Sequence, residues 1–394
     1  MSNDAVIVDV VRTPSGRGKP GGALSSVHPA DLLAGVLSEL LSRNDLDPAL
    51  VDDVIGGCVS QVGEQSYNVT RTALLSAGFP DSVPGTTLDR QCGSSQQAAT
   101  FAAQGVMAGS YDVVIACGVE SMSRVPLGSS VASQDPYGTL MHERYPQGLV
   151  NQGVSAELMN LKWGLERRQL DAFADRSHRL ASAAAQRGDF AGELVGVTAA
   201  DGRFLTLDET IRAATTMESL AGLKPAFRTD ELAARFPDLR WHVTAGNSSP
   251  LTDGASAALI MSAERAAQLG LTPRARFHSC AVTGSDPLLM LTGVIPATRR
   301  ILERSGLGID DFAAYEVNEA FATVPLVWQH ELHANPDKLN PRGGAIALGH
   351  ALGSSGARLL GTLVNELESS GGRYGLQVMC EGGGMANATV IERL

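Results

Sequence analysis

The segment from residue 87 to residue 97 places a cysteine where an extended stretch gives way to a turn of small residues. An apolar run over residues 98–108 predicts that a helix follows the turn, and Ser94 or Ser95 could cap it. Cys92 would then lie at or just before a helix N-terminus, where the helix dipole favours a thiolate over a thiol. This arrangement suits a nucleophile, although a buried and inert cysteine would give the same pattern.

Three further segments carry polar or reactive side chains beside glycine turns or predicted strand ends. They are Glu316-Val317-Asn318-Glu319-Ala320-Phe321, residues 340–353 around His350, and Cys380-Glu381-Gly382-Gly383-Gly384-Met385. The glycines permit positive φ and close ligand approach, and the free N–H groups of the last turn could form an oxyanion site. Taken singly, Asn318 could cap a helix, His350 could be an ordinary loop histidine and Cys380 a core cysteine. Together with Cys92, however, these segments supply two thiols, an imidazole and an amide. This set of groups suits acyl transfer through a thioester.

The elements that position these groups are predicted strands and helices that alternate along the chain. This alternation indicates an α/β architecture. Apolar patterning predicts strands at 5–11, 51–59, 111–119, 253–261, 275–282 and 312–317, and helices at 28–41, 68–77, 98–108, 156–163, 170–185 and 297–305. The stretch from 121 to 249 is rich in charge and broken by prolines and glycines, so we expect a loop domain there, acting as a lid or as structural decoration. The first half would then be residues 1–120, completed by about 250–270, and the second half residues 271–394.

A short internal repeat supports two similar halves. In the first half, Gly93-Ser94-Ser95 is followed by a predicted helix, then by Tyr111 and, six residues later, by Cys117. The second half repeats this order, with Gly353-Ser354-Ser355, a predicted helix, Tyr374 and, six residues later, Cys380. Two similar halves packed together would surround a shared cleft, which is a common place for a binding site.

Composition narrows the class of protein. The 394 residues carry a formal net charge of -11, which argues against a nucleic-acid partner. No apolar run reaches membrane-spanning length, and Met1-Ser2-Asn3-Asp4 lacks the basic region of a secretory signal. The five scattered cysteines form no CxxC pair, so we expect no disulfide framework and no metal site. These observations predict a cytoplasmic protein with neither a membrane nor a nucleic acid as partner.

The four segments together resemble the motifs of the thiolases, the acetyl-CoA C-acyltransferases. The motifs are Arg90-Gln91-Cys92-Gly93-Ser94, Asn318-Glu319-Ala320-Phe321, residues 343–350 ending in Gly349-His350, and Cys380 with Gly382-Gly383-Gly384. The resemblance covers nearly the whole chain in the family's order. It implies an α/β thiolase-type fold, with two similar βαβαβαββ halves in a five-layered α-β-α-β-α arrangement and an inserted loop domain that holds CoA.

The resemblance also implies an activity. A 3-ketoacyl-CoA would be cleaved with CoA to acetyl-CoA or propionyl-CoA and a shortened acyl-CoA, and the reaction would be reversible as a Claisen condensation. Coenzyme A would be a co-substrate, with no covalently bound cofactor, and the partners would be CoA and acyl-CoA. As in the family, the chain would assemble as a homodimer or homotetramer.

The resemblance assigns a role to each site residue. Cys92 would attack the keto carbon and hold the acyl group, while His350 would polarise Cys92 and help activate the CoA thiol. Cys380 would protonate the departing acetyl-CoA carbanion. Asn318, through a water, would form one oxyanion hole with His350, and the backbone N–H groups of Cys92 and Gly382 would form the other.

Residues 244–249, followed by Asp253-Gly254-Ala255, resemble the family's CoA-binding segment. Ser249 would contact the pantetheine arm, and Ala245 and Gly246 belong to the same segment. Lys224 would lie near the CoA nucleotide. These four residues are the cofactor-binding residues that the resemblance implies.

Arg90-Gln91 before the nucleophile resembles the degradative thiolases, and residues 141–157 lack the Met-Gly pair associated with short-chain biosynthetic members. Residues 62–65 and Gln96-Gln97 resemble actinobacterial thiolases linked to the breakdown of bulky or steroid side chains. We therefore expect a degradative 3-ketoacyl-CoA thiolase, acting in fatty acid β-oxidation or steroid degradation.

Three positions depart from the family pattern. Ala351 replaces the usual proline, which would loosen its loop, and Ala386 stands where glycine is common. Glu381 places a carboxylate beside the second thiol, and its charge would raise the pKa of Cys380. These departures keep two alternatives open: a biosynthetic acetoacetyl-CoA thiolase, and a non-catalytic thiolase-fold protein that binds acyl-CoA or lipid. A ketoacyl synthase is a third, against which Cys380 and Asn318 argue.

Overall fold

The computed structural model describes residues 4–394 of the chain. Residues 1–3, in which the sequence predicts no targeting signal, lie outside the described residues. The strands are β1 (Ala5–Arg12), β2 (Gly16–Arg17), β3 (Asp53–Gly57), β4 (Gly85–Leu88), β5 (Val113–Ser121), β6 (Val197–Thr198), β7 (Phe204–Leu205), β8 (Thr252–Ser262), β9 (Ala275–Gly284), β10 (Phe312–Val317), β11 (Tyr374–Glu381) and β12 (Met385–Arg393).

The α-helices complete the described secondary structure, apart from short 3-10 turns. They are α1 (Pro29–Arg43), α2 (Val69–Ser76), α3 (Ser94–Met107), α4 (Gly138–Arg144), α5 (Gln152–Trp163), α6 (Arg167–Arg187), α7 (Met217–Ala221), α8 (Asp230–Arg235), α9 (Ala263–Gln268), α10 (Val294–Ser305), α11 (Thr323–Leu332), α12 (Ala345–Leu348) and α13 (Ser355–Ser370). Within residues 4–394, no helix combines the length and the apolarity needed to cross a membrane.

The strand order repeats between the two halves of the chain. One network of strands runs β10-β11-β12-β9-β1-β8-β5-β3-β4, with β2 paired to β8. The order β1-β8-β5-β3-β4 in the first half matches β9-β12-β11-β10 in the second. In the place of a fifth strand, the second half has a single parallel bridge between Tyr315 of β10 and Leu339. Antiparallel and parallel pairings also match, and β1 pairs with β9 where the halves meet. The two similar halves predicted from the sequence are confirmed.

Helices form three layers around these strands. Leu33 and Leu37 of α1 pack on one face of the first half, together with α2. Ile301 of α10 and Trp328 of α11 share a core with the opposite face of the second half. Helices α3 and α13 lie between the halves, where Leu360 packs in one cluster with strand residues of both. This is the five-layered α-β-α-β-α arrangement that the sequence predicts.

The two central helices come unusually close to each other at their N-terminal ends. A Cβ on Gly356 of α13 would overlap the backbone nitrogen of Gln96 in α3, so only glycine permits this approach. Cys92 precedes α3 and His350 precedes α13. The small residue therefore brings the two loops with candidate catalytic side chains to the same end of the central layer.

The segment from 121 to 249 contains α4 to α8 and the small β6–β7 hairpin. Met159 of α5 and Phe173 of α6 share a core with Leu291 and Val294 of the second half. The two longest helices of the segment are thus packed against the sheet assembly through apolar side chains. The predicted domain boundaries stay a prediction.

Candidate active site

Cys92 lies in the turn between β4 and α3, and its side chain is only 3% exposed. Burial raises the pKa of the Cys92 thiol well above its ordinary value, and negative charge on Cys380 and Glu381 raises it further. A hydrogen bond from the Gln152 side chain acts in the opposite direction. The resting thiol is therefore protonated. The expectation of a thiolate at this helix N-terminus is not met, because burial strongly favours the neutral thiol.

The two serines after Cys92 do not cap their own helix. The cap position of α3 is Gly93, which offers no side chain. The hydroxyl of Ser94 instead accepts the N–H of Arg90 at 2.9 Å and closes the turn. The hydroxyl of Ser95 accepts the N–H of Ala357, in the first turn of α13, at 3.0 Å. The predicted cap is thus wrong, and Ser95 ties the two central helices together.

His350 is buried, and its hydrogen bonds define its tautomer. The Oγ of Ser355 lies 2.6 Å from Nδ1 of His350 and 2.9 Å from the carbonyl oxygen of Ala351. Because that carbonyl can only accept, the hydroxyl proton points to it and Nδ1 carries the ring proton. Burial, and then the charge of Arg358, lowers the pKa of His350 to about 3. The imidazole is therefore neutral, with Nε2 free to accept a proton.

Backbone contacts fix the loop that carries His350. Gly349 has φ +82°, and a Cβ there would press on the side chain of Thr252. The N–H of His350 donates to Oγ1 of Thr252 at 2.9 Å. Two residues further on, Leu352 packs against the small apolar cluster of Cys92, Leu359 and Met379. These contacts hold the imidazole loop and the thiol turn against each other.

The loop stays ordered without the usual proline. The carbonyl oxygen of Ala351 accepts the N–H groups of Ser354 at 3.0 Å and of Ser355 at 2.9 Å. Ala351 is itself buried. The loosening expected from this alanine is therefore opposed by hydrogen bonds at the start of α13.

Asn318 follows β10 and brings two candidate groups together. Its N–H donates to the carbonyl oxygen of Val378 in β11 at 2.9 Å, which fixes the backbone. Its Nδ2 lies 3.4 Å from Nε2 of His350, and its side chain lies close enough to Cys380 to lower the pKa of that thiol. A donor facing Nε2 agrees with the tautomer deduced from Ser355.

Cys380 is the penultimate residue of β11, and its thiol is buried. The side chain of Asn318 and the backbone N–H of Ala320 lie near the thiol and lower its pKa. Burial outweighs them and, with the charge of Glu381, raises the pKa of Cys380 to about 12. The predicted influence of Glu381 on this thiol is confirmed in direction. The buried Gly382 follows directly after Glu381 in the turn to β12.

The segment predicted to bind CoA is held beside Asn318. The N–H and the hydroxyl of Ser249 both donate to the carbonyl oxygen of Ala320, at 3.0 and 3.2 Å. Leu251, two residues on, forms a β-bridge with His350. Ser249 is half-buried, so it lies between the Asn318 and His350 loops with part of its surface open.

The other three predicted CoA residues lie together on two backbone segments joined by a β-bridge. An antiparallel bridge joins Pro225 to Thr244 and thereby places Lys224 next to Ala245. Both Lys224 and Ala245 are exposed, whereas Gly246 is buried. An exposed ammonium group beside this turn provides a charge that a phosphate could use.

Three residues of the site were not identified from the sequence: Ser355, Gln152 and Glu120. Ser355 follows His350 by only five residues, and this short spacing could have indicated an orienting partner. The carboxylate of Glu120 accepts four N–H groups, those of Val59 (2.9 Å), Ser60 (3.0 Å) and Gly353 (2.9 Å) and the side chain of Gln65 (2.9 Å). No local pattern reveals Gln152 or Glu120, because their partners are distant in the sequence.

Comparison with known proteins identifies the family to which the chain belongs. Residues 5–264 match the model of the thiolase N-terminal domain, and residues 271–393 match that of the thiolase C-terminal domain. The chain belongs to the thiolase family. Thiolases are acyltransferases, so the chain is an enzyme of that class.

Other thiolases resemble the chain over its whole length. It is 46% identical to the steroid 3-ketoacyl-CoA thiolase FadA6 of Mycobacterium tuberculosis, over 100% of this chain and 95% of that protein. It is 44% identical to a 3-ketoacyl-CoA thiolase of Saccharophagus degradans, over 99% and 98%. The crystal structure of the Bacillus anthracis acetyl-CoA acetyltransferase superposes with a TM-score of 0.89 at 38% identity, covering 100% of this chain and 99% of the other.

Proposed function

We propose that this thiolase cleaves a 3-ketoacyl-CoA with CoA, through an acyl thioester on Cys92. The observation that carries the proposal is the placement of Asn318 near both His350 and Cys380, in a site where the His350 loop packs on the apolar cluster that contains Cys92. A neutral base and a second thiol joined by one amide are what a two-stage acyl transfer requires. The names of the thiolase relatives support the same reaction.

In the first stage, the Cys92 thiol gives its proton to Nε2 of His350 and the sulfur attacks the keto carbon. N–H groups of Cys92 and Gly382, and the Asn318–His350 pair, would stabilise the oxyanions that form. The bond between C2 and C3 then breaks, leaving the acyl group on Cys92. The electron pair stays on C2, which takes a proton from Cys380 to give acetyl-CoA.

The second stage restores every proton. The Cys380 thiolate takes the proton of the incoming CoA thiol, and the CoA sulfur attacks the thioester. Cys92 leaves as a thiolate and recovers its proton from His350. Because His350 has an unusually low pKa, about 3, its cationic form is a strong acid that returns the proton readily.

CoA is proposed to bind along the segment that ends at Ser249, with the pantetheine arm at Ser249 and the backbone of Ala245 and Gly246 beside it. The exposed Lys224 would contact the nucleotide end. Lys224→Ala should raise the KM for CoA several-fold without changing kcat, as expected for a lost phosphate contact. Lys162→Ala, at an exposed lysine in the last turn of α5, is the matched control and should leave both values unchanged.

We propose that the reaction runs in the degradative direction on bulky acyl chains. The similarity to a relative named as a steroid 3-ketoacyl-CoA thiolase supports this. The similarity to an acetyl-CoA acetyltransferase supports the alternative of acetoacetyl-CoA as substrate. A thiolysis series from acetoacetyl-CoA to long-chain and steroid side-chain 3-ketoacyl-CoAs separates the two, since the best substrate identifies the class.

The mechanism is tested by intact-mass detection of the acyl-enzyme. Wild type mixed with the best substrate in the absence of free CoA should gain the mass of one acyl group, and Cys92→Ala should not. Cys280→Ala, at a cysteine in β9, should retain the adduct. Turnover by Cys92→Ala would disprove the mechanism. Binding of every ester with neither turnover nor adduct would instead identify a non-catalytic acyl-CoA-binding protein.

Self-association and a cytoplasmic location complete the proposal. Leu127 (58% exposed), Tyr137 (51%) and Leu140 (81%) place apolar side chains on the surface of residues 126–145, which supports a dimer or tetramer. Light scattering should give a mass of two or four chains, reduced by Leu140→Asp.

All five cysteines are free, and two must remain thiols, which suits a reducing compartment. Cell fractionation tests the location.

A further inference from the structure

Glu381, the last residue of β11, is a carboxyl group buried beside both candidate thiols. Its side chain is inaccessible to solvent, and no described residue donates a hydrogen bond to either of its oxygens. It extends over Gly93, where an added Cβ would overlap its Oε1. A carboxylate in such a place would lack the donors that normally compensate for lost hydration. The uncharged acid is therefore the form that fits the site.

Charged and titratable groups face Glu381 from two sides. From the turn before α3 these are Arg90, Asp89 and the Cys92 thiol, and from its own strand the Cys380 thiol. The charge of Arg90 favours the ionised form, but Arg90 donates no hydrogen bond to either oxygen of Glu381. Burial is the larger effect and raises the pKa of Glu381 to about 8.

The other half of the fold shows that the position does not require a carboxyl group. By the internal repeat, the counterpart of Glu381 is Gly118, which follows Cys117 as Glu381 follows Cys380. Gly118 packs directly on the backbone of Gly353, as Glu381 packs on Gly93. A glycine thus suffices for the fold at one of the two positions, whereas the position beside the thiols carries an acid.

We propose that Glu381 is a positioning residue that stays protonated during turnover and thereby lets Cys92 and Cys380 become thiolates in turn. The inference rests on the proposed roles of these two thiols. An ionised Glu381 would place a negative charge next to each developing thiolate and oppose its formation. Deprotonation of Glu381 therefore sets an alkaline limit on thiolysis, and no contact with the substrate is needed.

The test compares wild type with Glu381→Gln, which keeps the shape of the protonated acid and cannot ionise. Two quantities are measured from pH 6.5 to 9.5: kcat/KM for the best substrate of the thiolysis series, and the rate of Cys92 alkylation by iodoacetamide, followed by peptide mass. Glu303→Gln, at an exposed glutamate in α10, is the matched control. Glu381→Gly, which copies Gly118, is the second variant and guards against a folding defect specific to glutamine.

Wild type and Glu381→Gln should agree at pH 6.5. By pH 9.5 the variant should alkylate about tenfold faster, the effect of one pKa unit on a thiol. Its kcat/KM should show the same advantage over wild type, and Glu303→Gln should follow wild type throughout. Superimposable profiles for wild type and both Glu381 variants would overturn the inference while the acyl adduct still formed on Cys92. Failure of the proposed mechanism is distinct, because the adduct would then be missing at every pH.

Discussion

The Nδ2 atom of Asn318 lies 3.4 Å from Nε2 of His350, and the same side chain lies close enough to Cys380 to lower the pKa of its thiol. One amide therefore contacts the base of the first stage and the acid that releases the product. The lone pair of Nε2 faces a donor, so the imidazole is held in the form that accepts a proton. Because the three groups act as a unit, the effects of their substitutions should not be additive.

Asn318→Asp tests this unit with almost no change in shape. A carboxylate at this place would remove the N–H donors and oppose the Cys380 thiolate, so kcat should fall about 10²–10³-fold, the range for loss of an oxyanion donor. The KM for CoA should change little. Asn335→Asp, at an exposed helix cap, should have no effect on steady-state kinetics. Wild-type kcat in Asn318→Asp would contradict the role.

Ser355→Ala tests the tautomer of His350. Loss of the hydroxyl leaves the Nδ1 proton without its acceptor, so the ring can adopt the other tautomer, in which Nε2 is no longer a base. We expect kcat to fall about 10–100-fold, as for other orienting partners of histidine. Ser355→Thr, which keeps the hydroxyl, should recover most of the rate. If Ser355→Ala and Ser370→Ala were equally active, the hydrogen bond would have no catalytic role.

Local patterns predicted the elements of the fold better than their ends. The strand at 312–317 is observed over the same residues. Its apolar stretch is bounded by polar residues, which define where the strand begins and ends. Helix α5 begins at Gln152, four residues before the predicted start, because the side chain of Asn151 accepts the N–H of Val154 and caps it. Such a cap depends on a single hydrogen bond, and the apolar pattern of the sequence gives little indication of it.

For the site, the sequence predicted which residues meet but not their protonation. Cys92 and His350 could be named from their motifs. The pKa values could not, because they depend on how deeply each group is buried in the assembled fold. Gln152 was missed for the same reason, since it reaches Cys92 from a helix beyond the whole of β5.

Glu120→Gln should affect the His350 loop from the other half of the fold. Its carboxylate accepts the N–H of Gly353 along with three other donors, and an amide would turn an NH₂ group towards some of them. Each lost buried hydrogen bond costs about 1–3 kcal/mol. We expect a lower Tm and a reduced kcat, measured by scanning calorimetry and thiolysis. Glu264→Gln, on exposed α9, is the control, and an unchanged Tm in Glu120→Gln would contradict the prediction.

Gly93→Ala tests the contact between the two halves at the nucleophile. The added Cβ overlaps the Glu381 carboxyl, the movable end of a side chain, so the carboxyl must shift towards the thiols or distort the turn. The variant should lose about tenfold in kcat/KM at pH 7. The double variant Gly93→Ala/Glu381→Gly removes the overlap and should recover most of this loss. Equal activities of Gly93→Ala and the double variant would show that the two residues are not coupled.

Stability should depend on pH in a way that identifies Glu381. In the folded protein its pKa is raised to about 8, whereas in the unfolded chain it has the ordinary value near 4.5. Between these values the folded state binds more protons, so the free energy of unfolding falls as pH rises, by up to about 1.4 kcal/mol per pH unit. Below the lower value both states are protonated, and this pH dependence disappears.

Glu381→Gln removes this titration, so the variant should gain stability relative to wild type as pH rises from 5 to 8. Urea unfolding of both proteins at unit pH intervals measures the difference, with Glu303→Gln as the exposed control. The other buried acids titrate in both proteins and cancel in the comparison. A difference that stays constant with pH would mean that Glu381 ionises normally in the folded state, and the protonated carboxyl beside the thiols would then be wrong.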